Sequence, residues 1–134
     1  MKYLLDVNAL VALLMAEHSL NARTVAWVRG LVRRKRANLV TCPITELGFV
    51  RIISQPSTFG RTISEAQSIL QRAKAGSVVT FGFIGDDLSA SMLPGWVLKP
   101  GQVTDGHLAR LAEASGTLLA TLDAGIPGAF LIPT

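Results

Sequence analysis

The sequence has little cysteine, little histidine and little charge. Cys42 is the single cysteine and there are two histidines, so no internal disulfide can form and zinc would find few of its usual ligands. Charged residues make up 16% of the chain, against about 25% in an average protein. Apolar residues make up 49%, which is enough to form a core and excludes an intrinsically disordered protein.

Long apolar runs are also absent. The longest, such as VALLMA and SVVTFGFIG, are far shorter than the roughly 20 residues that span a bilayer, so we expect no transmembrane helix. The segment MKYLL…VALLMA superficially resembles a signal peptide, but Asp6 and Asn8 interrupt it and no small-residue cleavage site follows Met15. We therefore expect this segment to belong to the fold, and the protein to be cytoplasmic without membrane contact.

The length of 134 residues predicts one domain, residues 1–134, in which strands alternate with helices. Strands are predicted at 3–7, 38–42, 77–83, 118–122 and 129–132. Three helices are predicted at 8–16, 21–36 and 43–54. A fourth helix should begin at a capping box formed by Thr62 with Glu65 or by Ser64 with Gln67. A fifth should begin at a cap on Thr104 and end at Gly116. Residues 84–96 are ambiguous and 97–102 read as loop. This alternation predicts an α/β fold with a parallel sheet covered on both faces.

Four acidic residues lie where functional sites form in such sheets, beyond the carboxyl ends of the strands. Asp6 ends the first strand, Asp123 follows the fourth, Asp105 opens a helix, and Glu46 lies in the first turns of the helix after the second strand. Converging carboxylates repel one another, and a divalent cation relieves the repulsion. Carboxylate and water oxygens suit Mg²⁺ or Mn²⁺, so the pattern favours an acidic site for one of these ions.

Each acid also has a purely structural interpretation. Asp6 could start a turn with Asn8, although a charge embedded in YLLDVNALVALL is costly without a partner. Glu46 could be an exposed helix residue, although it lies on an apolar helix face. Asp105 suits ordinary capping and dipole chemistry at a helix start, and Asp123 could simply shape a turn.

Three blocks of sequence, in their order and approximate spacing, resemble a known family. They are LLDVNALVALL, ITELGFVRIISQP and VTDGHLARLAEASGTLLATLDAGI. These blocks are similar to the PIN domain and, more narrowly, to the VapC ribonuclease toxins of VapBC toxin–antitoxin pairs, almost from end to end. The resemblance implies a three-layer α/β/α sandwich with a central, mainly parallel sheet of about five strands. It also implies an endoribonuclease that a cognate VapB-type antitoxin neutralises, and that forms a homodimer.

The resemblance also assigns roles to individual residues. The family's catalytic and metal-binding acids map onto Asp6, Glu46, Asp105 and Asp123, and its supporting polar positions map onto Asn8 and Thr121. The implied reaction is hydrolysis of an RNA phosphodiester by water activated at Mg²⁺ or Mn²⁺. The residues do not decide whether one ion or two ions bind. Gly106 departs from the alanine-like residue usual after the third acid. Because glycine weakens a helix by roughly 1 kcal/mol, we expect it to loosen Asp105.

An excess of basic over acidic residues fits an RNA partner. The net charge is +4, and without the four acids above, thirteen basic residues face five acidic ones. The candidate RNA-binding residues are Arg29, Arg33, Arg34, Lys35 and Arg36 near the end of the second predicted helix, and Arg51 on the helix of Glu46. Arg29, Arg33 and Arg36 are predicted on one helical face. A solvated helix end explains this group equally well, and Arg51 could serve the surface or the antitoxin.

Other polar residues and other functions receive simpler interpretations. His18 and His107 lack ligand spacing, so we expect structural or solvent roles, and Asp86 is expected to cap a helix or turn. One rival function is a catalytically inactive PIN-like module that binds RNA or protein. Another is a phosphatase that uses Asp6, although such enzymes usually have a second acid where Asn8 stands. A flap-cleaving DNA nuclease would need insertions for which the chain has little room.

Overall fold

The computed structural model describes residues 1–134, in which five strands alternate with five α-helices. The strands are β1 (Tyr3–Leu5), β2 (Asn38–Thr41), β3 (Thr80–Phe83), β4 (Leu118–Thr121) and β5 (Phe130–Leu131). The helices are α1 (Val7–Leu14), α2 (Asn21–Arg33), α3 (Pro43–Ser54), α4 (Ile63–Ala75) and α5 (Val103–Ser115). Two short 3₁₀ turns lie at Ala90–Met92 and Pro100–Gln102.

The five strands form one parallel sheet in the order β3-β2-β1-β4-β5. The chain builds outward from β1 through β2 to β3, and then returns to place β4 on the other side of β1. Strand order therefore reverses at β1, and such a switch point opens a crevice at the carboxyl ends of the strands. The sheet confirms the predicted parallel arrangement, and the crevice lies between the ends of β1 and β4.

Alternating side chains of the central strands form two hydrophobic cores. The first core packs against α1 to α4, and the strands contribute Leu5, Leu39 and Ala120 to it. The second core packs against α5, and the strands contribute Leu4, Val40 and Leu119 to it. Burying one leucine or valine side chain stabilises the fold by about 1.5–3 kcal/mol. The predicted three-layer α/β/α sandwich is thus confirmed.

A glycine lets α1 and α3 approach each other closely. A Cβ atom at Gly48 would lie 2.7 Å from Cγ2 of Val7, closer than real contacts allow. Val7 directly follows Asp6, and Gly48 lies two residues after Glu46. This contact therefore sets side by side the two helices that carry the first two predicted site acids.

The structure corrects two predicted boundaries near functional candidates. The first strand ends at Leu5, and Asp6 is the N-cap of α1, because its carboxylate accepts a hydrogen bond from the Ala9 amide. The second helix ends at Arg33 rather than at residue 36, and Lys35 adopts a left-handed φ of 56°. Arg36 therefore lies beyond the helix, and its predicted place on one helical face with Arg29 and Arg33 was wrong.

Helix starts depend on which capping residue the chain supplies. Thr62 and Glu65 form the predicted capping box of α4, with N···O distances of 3.0 and 2.8 Å. Helix α5 begins at Val103 with Gln102 as its N-cap, because the preceding 3₁₀ turn runs directly into it, so the predicted cap at Thr104 was wrong. None of the helices combines the length and the apolar character that a membrane span requires.

Candidate active site

Three of the predicted acids come together at the crevice beside β1. Asp6 directly follows β1, Asp123 lies two residues beyond β4, and Asp105 lies in the first turn of α5. Repulsion from Asp105 and Asp123 contributes to raising the pKa of Asp6, and Asp123 acts likewise on Asp105. The three carboxylates therefore lie within electrostatic reach of one another.

Asp6 is the most buried of these acids, with 5% of its surface exposed. Its Oδ1 accepts the Ala9 amide at 2.8 Å, and the Thr121 side chain also hydrogen-bonds to the carboxyl group. Burial is the main reason that the pKa of Asp6 rises to about 6, despite these two hydrogen bonds, which lower it. Ionised Asp6 thus lacks a neutralising partner within the chain.

The two predicted supporting residues make different contacts. Thr121, at the end of β4, hydrogen-bonds to Asp6 and accepts the backbone amide of Asp123 at 3.0 Å, so one hydroxyl joins two acids. Asn8 is exposed and accepts from Nε2 of His18 at 2.9 Å, while Nδ1 of His18 accepts the Leu20 amide. His18 therefore orients Asn8, and burial lowers the pKa of His18.

Asp123 also serves the local structure that the sequence suggested for it, whereas Asp105 makes no capping hydrogen bond at the start of α5. Oδ1 of Asp123 accepts the Gly125 amide at 2.8 Å and so shapes the turn after β4. Asp105 is half-buried, and burial followed by repulsion from Asp123 raises its pKa. The structural and the functional interpretation of each residue are compatible, because each carboxylate uses one oxygen at most in these local bonds.

Gly106 allows a loop to pack directly beside Asp105. A Cβ atom at this position would lie 2.2 Å from Cγ2 of Val97 and 3.4 Å from Cδ of Pro94. The glycine that we expected to loosen Asp105 therefore admits residues 94–97 against the first turn of α5. This close packing supports the turn that carries the acid.

A second loop is fixed to α5 by a hydrogen bond that the sequence did not reveal. Nε2 of His107 lies 2.6 Å from Oδ2 of Asp86, and both side chains are largely buried. Burial raises the pKa of Asp86, but hydrogen bonds from His107 and from the Leu88 amide outweigh burial, so the pKa lies below its ordinary value. Asp86 caps a turn as predicted, and His107 has the structural role that we expected for it.

Glu46 lies apart from the other three acids. Its Oε2 accepts hydrogen bonds from Oγ1 of Thr41 and from Nζ of Lys74, both at 2.6 Å. It is not among the charges that shift the pKa of Asp6. Lys74 was absent from our sequence predictions, because a lysine in the last turn of a helix is ordinary dipole chemistry and carries no further signal.

The donor set suits a hydrated Mg²⁺ or Mn²⁺ ion. No three His, Cys, Asp or Glu side chains lie close enough together to hold an ion among themselves. Magnesium, however, keeps several of its waters and takes only one or two carboxylates directly. A buried, unneutralised Asp6 with Asp105 and Asp123 nearby offers oxygen ligands and negative charge, and both properties fit such an ion.

The predicted basic residues lie away from the acids. Arg34, Lys35 and Arg36 directly precede the start of β2, so they lie near the amino edge of the sheet, opposite the crevice. Arg29 and Arg33 lie on α2, and all five side chains are exposed. Arg51 is exposed on α3, which also carries Glu46. The structure therefore does not join the group around Arg34 to the acidic site, and an RNA in contact with both would have to pass around the molecule.

Comparison with known proteins identifies the family. No protein-family model matches the chain. It is 37% identical over 130 residues to Ribonuclease VapC38 of Mycobacterium tuberculosis (strain ATCC 25618 / H37Rv), covering 92% of this chain and 86% of the relative. It is 38% identical over 132 residues to Ribonuclease VapC44 of Mycobacterium tuberculosis (strain CDC 1551 / Oshkosh), covering 94% and 89%.

A solved structure shares the fold. A chain in the crystal structure of VapBC2 from Rickettsia felis, bound to a DNA fragment from their promoter, superposes with a TM-score of 0.64. The alignment covers 98% of this chain and 97% of that one at 16% identity, which supports the fold alone. Because the two sequence relatives exceed 30% identity over nine tenths of the chain, this protein belongs to the VapC ribonuclease family.

Proposed function

We propose that this protein is an endoribonuclease toxin that hydrolyses RNA phosphodiester bonds with the help of Mg²⁺ or Mn²⁺. The observation that carries the proposal is Asp6, a buried carboxylate at the switch point whose pKa is raised to about 6 by burial and, to a smaller extent, by Asp105 and Asp123. A site that disfavours its own negative charge binds a cation readily. Membership of the VapC family supports the ribonuclease activity.

The proposed site divides the work among the four acids and their supports. Asp6 binds the ion directly, Asp105 and Asp123 contact it directly or through its water molecules, and Glu46 acts through water from the neighbouring helix. Thr121 and the Ala9 amide orient Asp6. When bound, the ion lowers the pKa of a water molecule and stabilises charge on the phosphate oxygens, so no nucleophilic side chain is required.

We also propose a VapB-type antitoxin as the partner that neutralises the toxin. The support is that a solved structure with this fold is a VapBC complex. The proposed active form is a cytoplasmic homodimer in which residues 1–134 of each chain form one domain. Light scattering of the isolated protein over a range of concentrations tests the dimer, and a monomer throughout would exclude it.

The decisive experiment is cleavage of total cellular RNA by the purified protein, with Mg²⁺ or Mn²⁺ and with chelator. Asp6→Asn is run in parallel, and Asp87→Asn serves as the matched control because Asp87 is an exposed acid outside the site. We expect metal-dependent cuts that Asp87→Asn retains and Asp6→Asn loses, and sequencing of the fragment ends identifies the target.

The other outcomes separate the remaining explanations. Cleavage that survives in Asp6→Asn indicates a contaminating nuclease and contradicts the assigned site. Metal binding without cleavage indicates a missing substrate or a retained antitoxin. If the protein neither binds metal nor cleaves RNA, the result favours the catalytically inactive RNA- or protein-binding module and refutes the proposal.

A further inference from the structure

Two side chains from different elements donate to the same oxygen of Glu46. The hydroxyl of Thr41, at the end of β2, and the ammonium of Lys74, in the last turn of α4, both lie 2.6 Å from Oε2. Oε1 accepts no hydrogen bond from the protein. Because no buried side-chain oxygen or nitrogen lacks a partner, Oε1 is open to solvent. Glu46 is thus held at one oxygen and free at the other.

Lys74 is itself held in place. Its Nζ lies 5.0 Å from the centre of the Phe83 ring, and Phe83 pairs with Thr41 across the β2–β3 register. The lysine is therefore positioned between Glu46 and the ring, and its side chain is 29% exposed. The Glu46 side chain is 21% exposed, so the ion pair is partly buried and holds both of its members in fixed positions.

We propose that Lys74 is a positioning residue for Glu46. Together with Thr41 it fixes Oε2, so that Oε1 stays available to accept a hydrogen bond from a water molecule of the metal's hydration shell. This role rests on the proposed function, because it concerns the same metal site. Partners that orient such ligands typically change metal affinity by 10- to 100-fold when they are removed.

The sign of the effect distinguishes positioning from charge alone. Lys74 is a cation near a cation site, and its charge by itself weakens the binding of a divalent ion. Removing that charge would therefore tighten metal binding if charge were all that mattered. Removing a positioning residue instead weakens metal binding, because Glu46 is released into solvent. The two explanations predict changes in opposite directions.

The experiment is a calorimetric titration of Mn²⁺ into the purified protein and its variants. We expect Lys74→Met to raise the Kd for Mn²⁺ about tenfold, Thr41→Val to raise it in the same direction, and Lys74→Arg to stay within about threefold of the parent. Arg72→Met is the matched control, because it removes the same charge from an exposed position on the same helix and should leave the Kd unchanged.

A double-mutant cycle tests whether the effect passes through Glu46. In a Glu46→Gln background, Lys74→Met should change the Kd less than twofold. Thermal unfolding without metal verifies that each variant is folded, and Lys74→Gln replaces Lys74→Met if the methionine variant is not. Metal binding by Lys74→Met that is equal to or tighter than that of the parent overturns the role of Lys74, as does an undiminished effect in the Glu46→Gln background. A parent that binds no Mn²⁺ instead refutes the proposed metal site and this role with it.

Discussion

Replacing Asp6 with asparagine should stabilise the metal-free protein at neutral pH. The pKa of Asp6 rises from an ordinary value of 3.8 to about 6, chiefly because the carboxyl group is buried and then because Asp105 and Asp123 repel its charge. Each pKa unit corresponds to about 1.4 kcal/mol, so ionised Asp6 destabilises the folded state by about 3 kcal/mol. Asparagine keeps an acceptor for the Ala9 amide and carries no charge, so the free energy of unfolding should increase by up to that amount.

The pH dependence follows from the direction of the pKa change. Because the folded protein binds the Asp6 proton more tightly than the unfolded chain does, the parent loses stability as pH rises from about 4 and the loss is complete above about 6. The advantage of Asp6→Asn should therefore be largest at pH 7.5, about half as large at pH 5, and below about 1 kcal/mol near pH 4. Urea unfolding in the presence of chelator at these three pH values measures it.

Metal should reverse the order of the two proteins. A ligand present at about a thousand times its Kd stabilises the folded state by about 4.1 kcal/mol, which exceeds the advantage of about 3 kcal/mol calculated for Asp6→Asn. Mn²⁺ at that concentration should therefore make the parent the more stable protein and leave Asp6→Asn nearly unchanged. Asp87→Asn, which removes an exposed acid, should match the parent in both conditions. If Asp6→Asn without metal at pH 7.5 is no more stable than the parent, or if its advantage does not vary with pH, the electrostatic description of the site is wrong.

Three further predictions concern the surroundings of the site. Gly106→Ala should lower the free energy of unfolding by up to about 2 kcal/mol in urea titration, since overpacking against Val97 costs about 1–3 kcal/mol and alanine recovers about 1 kcal/mol of helix propensity; a variant more stable than the parent would contradict the close packing. Asp86→Ala should destabilise the protein by about 1–3 kcal/mol, because it leaves the largely buried His107 without its hydrogen-bond partner; unchanged thermal unfolding would argue against a stabilising role of this hydrogen bond. Replacing Arg33, Arg34 and Arg36 together, in a protein that also carries Asp6→Asn, should weaken the salt dependence of single-stranded RNA binding. The slope of the logarithm of the association constant against the logarithm of the salt concentration should fall in magnitude by about 2, and an unchanged slope would show that these residues do not contact the RNA backbone.

Local patterns in the sequence were sufficient for the elements and for the choice of candidate acids. The capping box of Thr62 and Glu65, the start of α3 at Pro43 and the end of α5 before Gly116 depend on neighbours within a few residues, so the sequence predicts them. The alternation of strands and helices likewise predicted the parallel sheet and the three layers. The family resemblance is confirmed by the comparisons, whereas the metal, the dimer and the roles of individual site residues remain predictions.

Contacts between distant parts of the chain were decided by the tertiary structure. Lys74 meets Glu46 across 28 positions, and Asp86 meets His107 across 21, because strand order and helix packing bring α4 to α3 and the loop after β3 to α5. No local periodicity encodes such pairs. Local patterns therefore showed which acids follow the strands. The three-dimensional fold alone decided that three of them share a crevice, that Glu46 is held by a lysine, and that the basic residues before β2 lie near the opposite edge of the sheet.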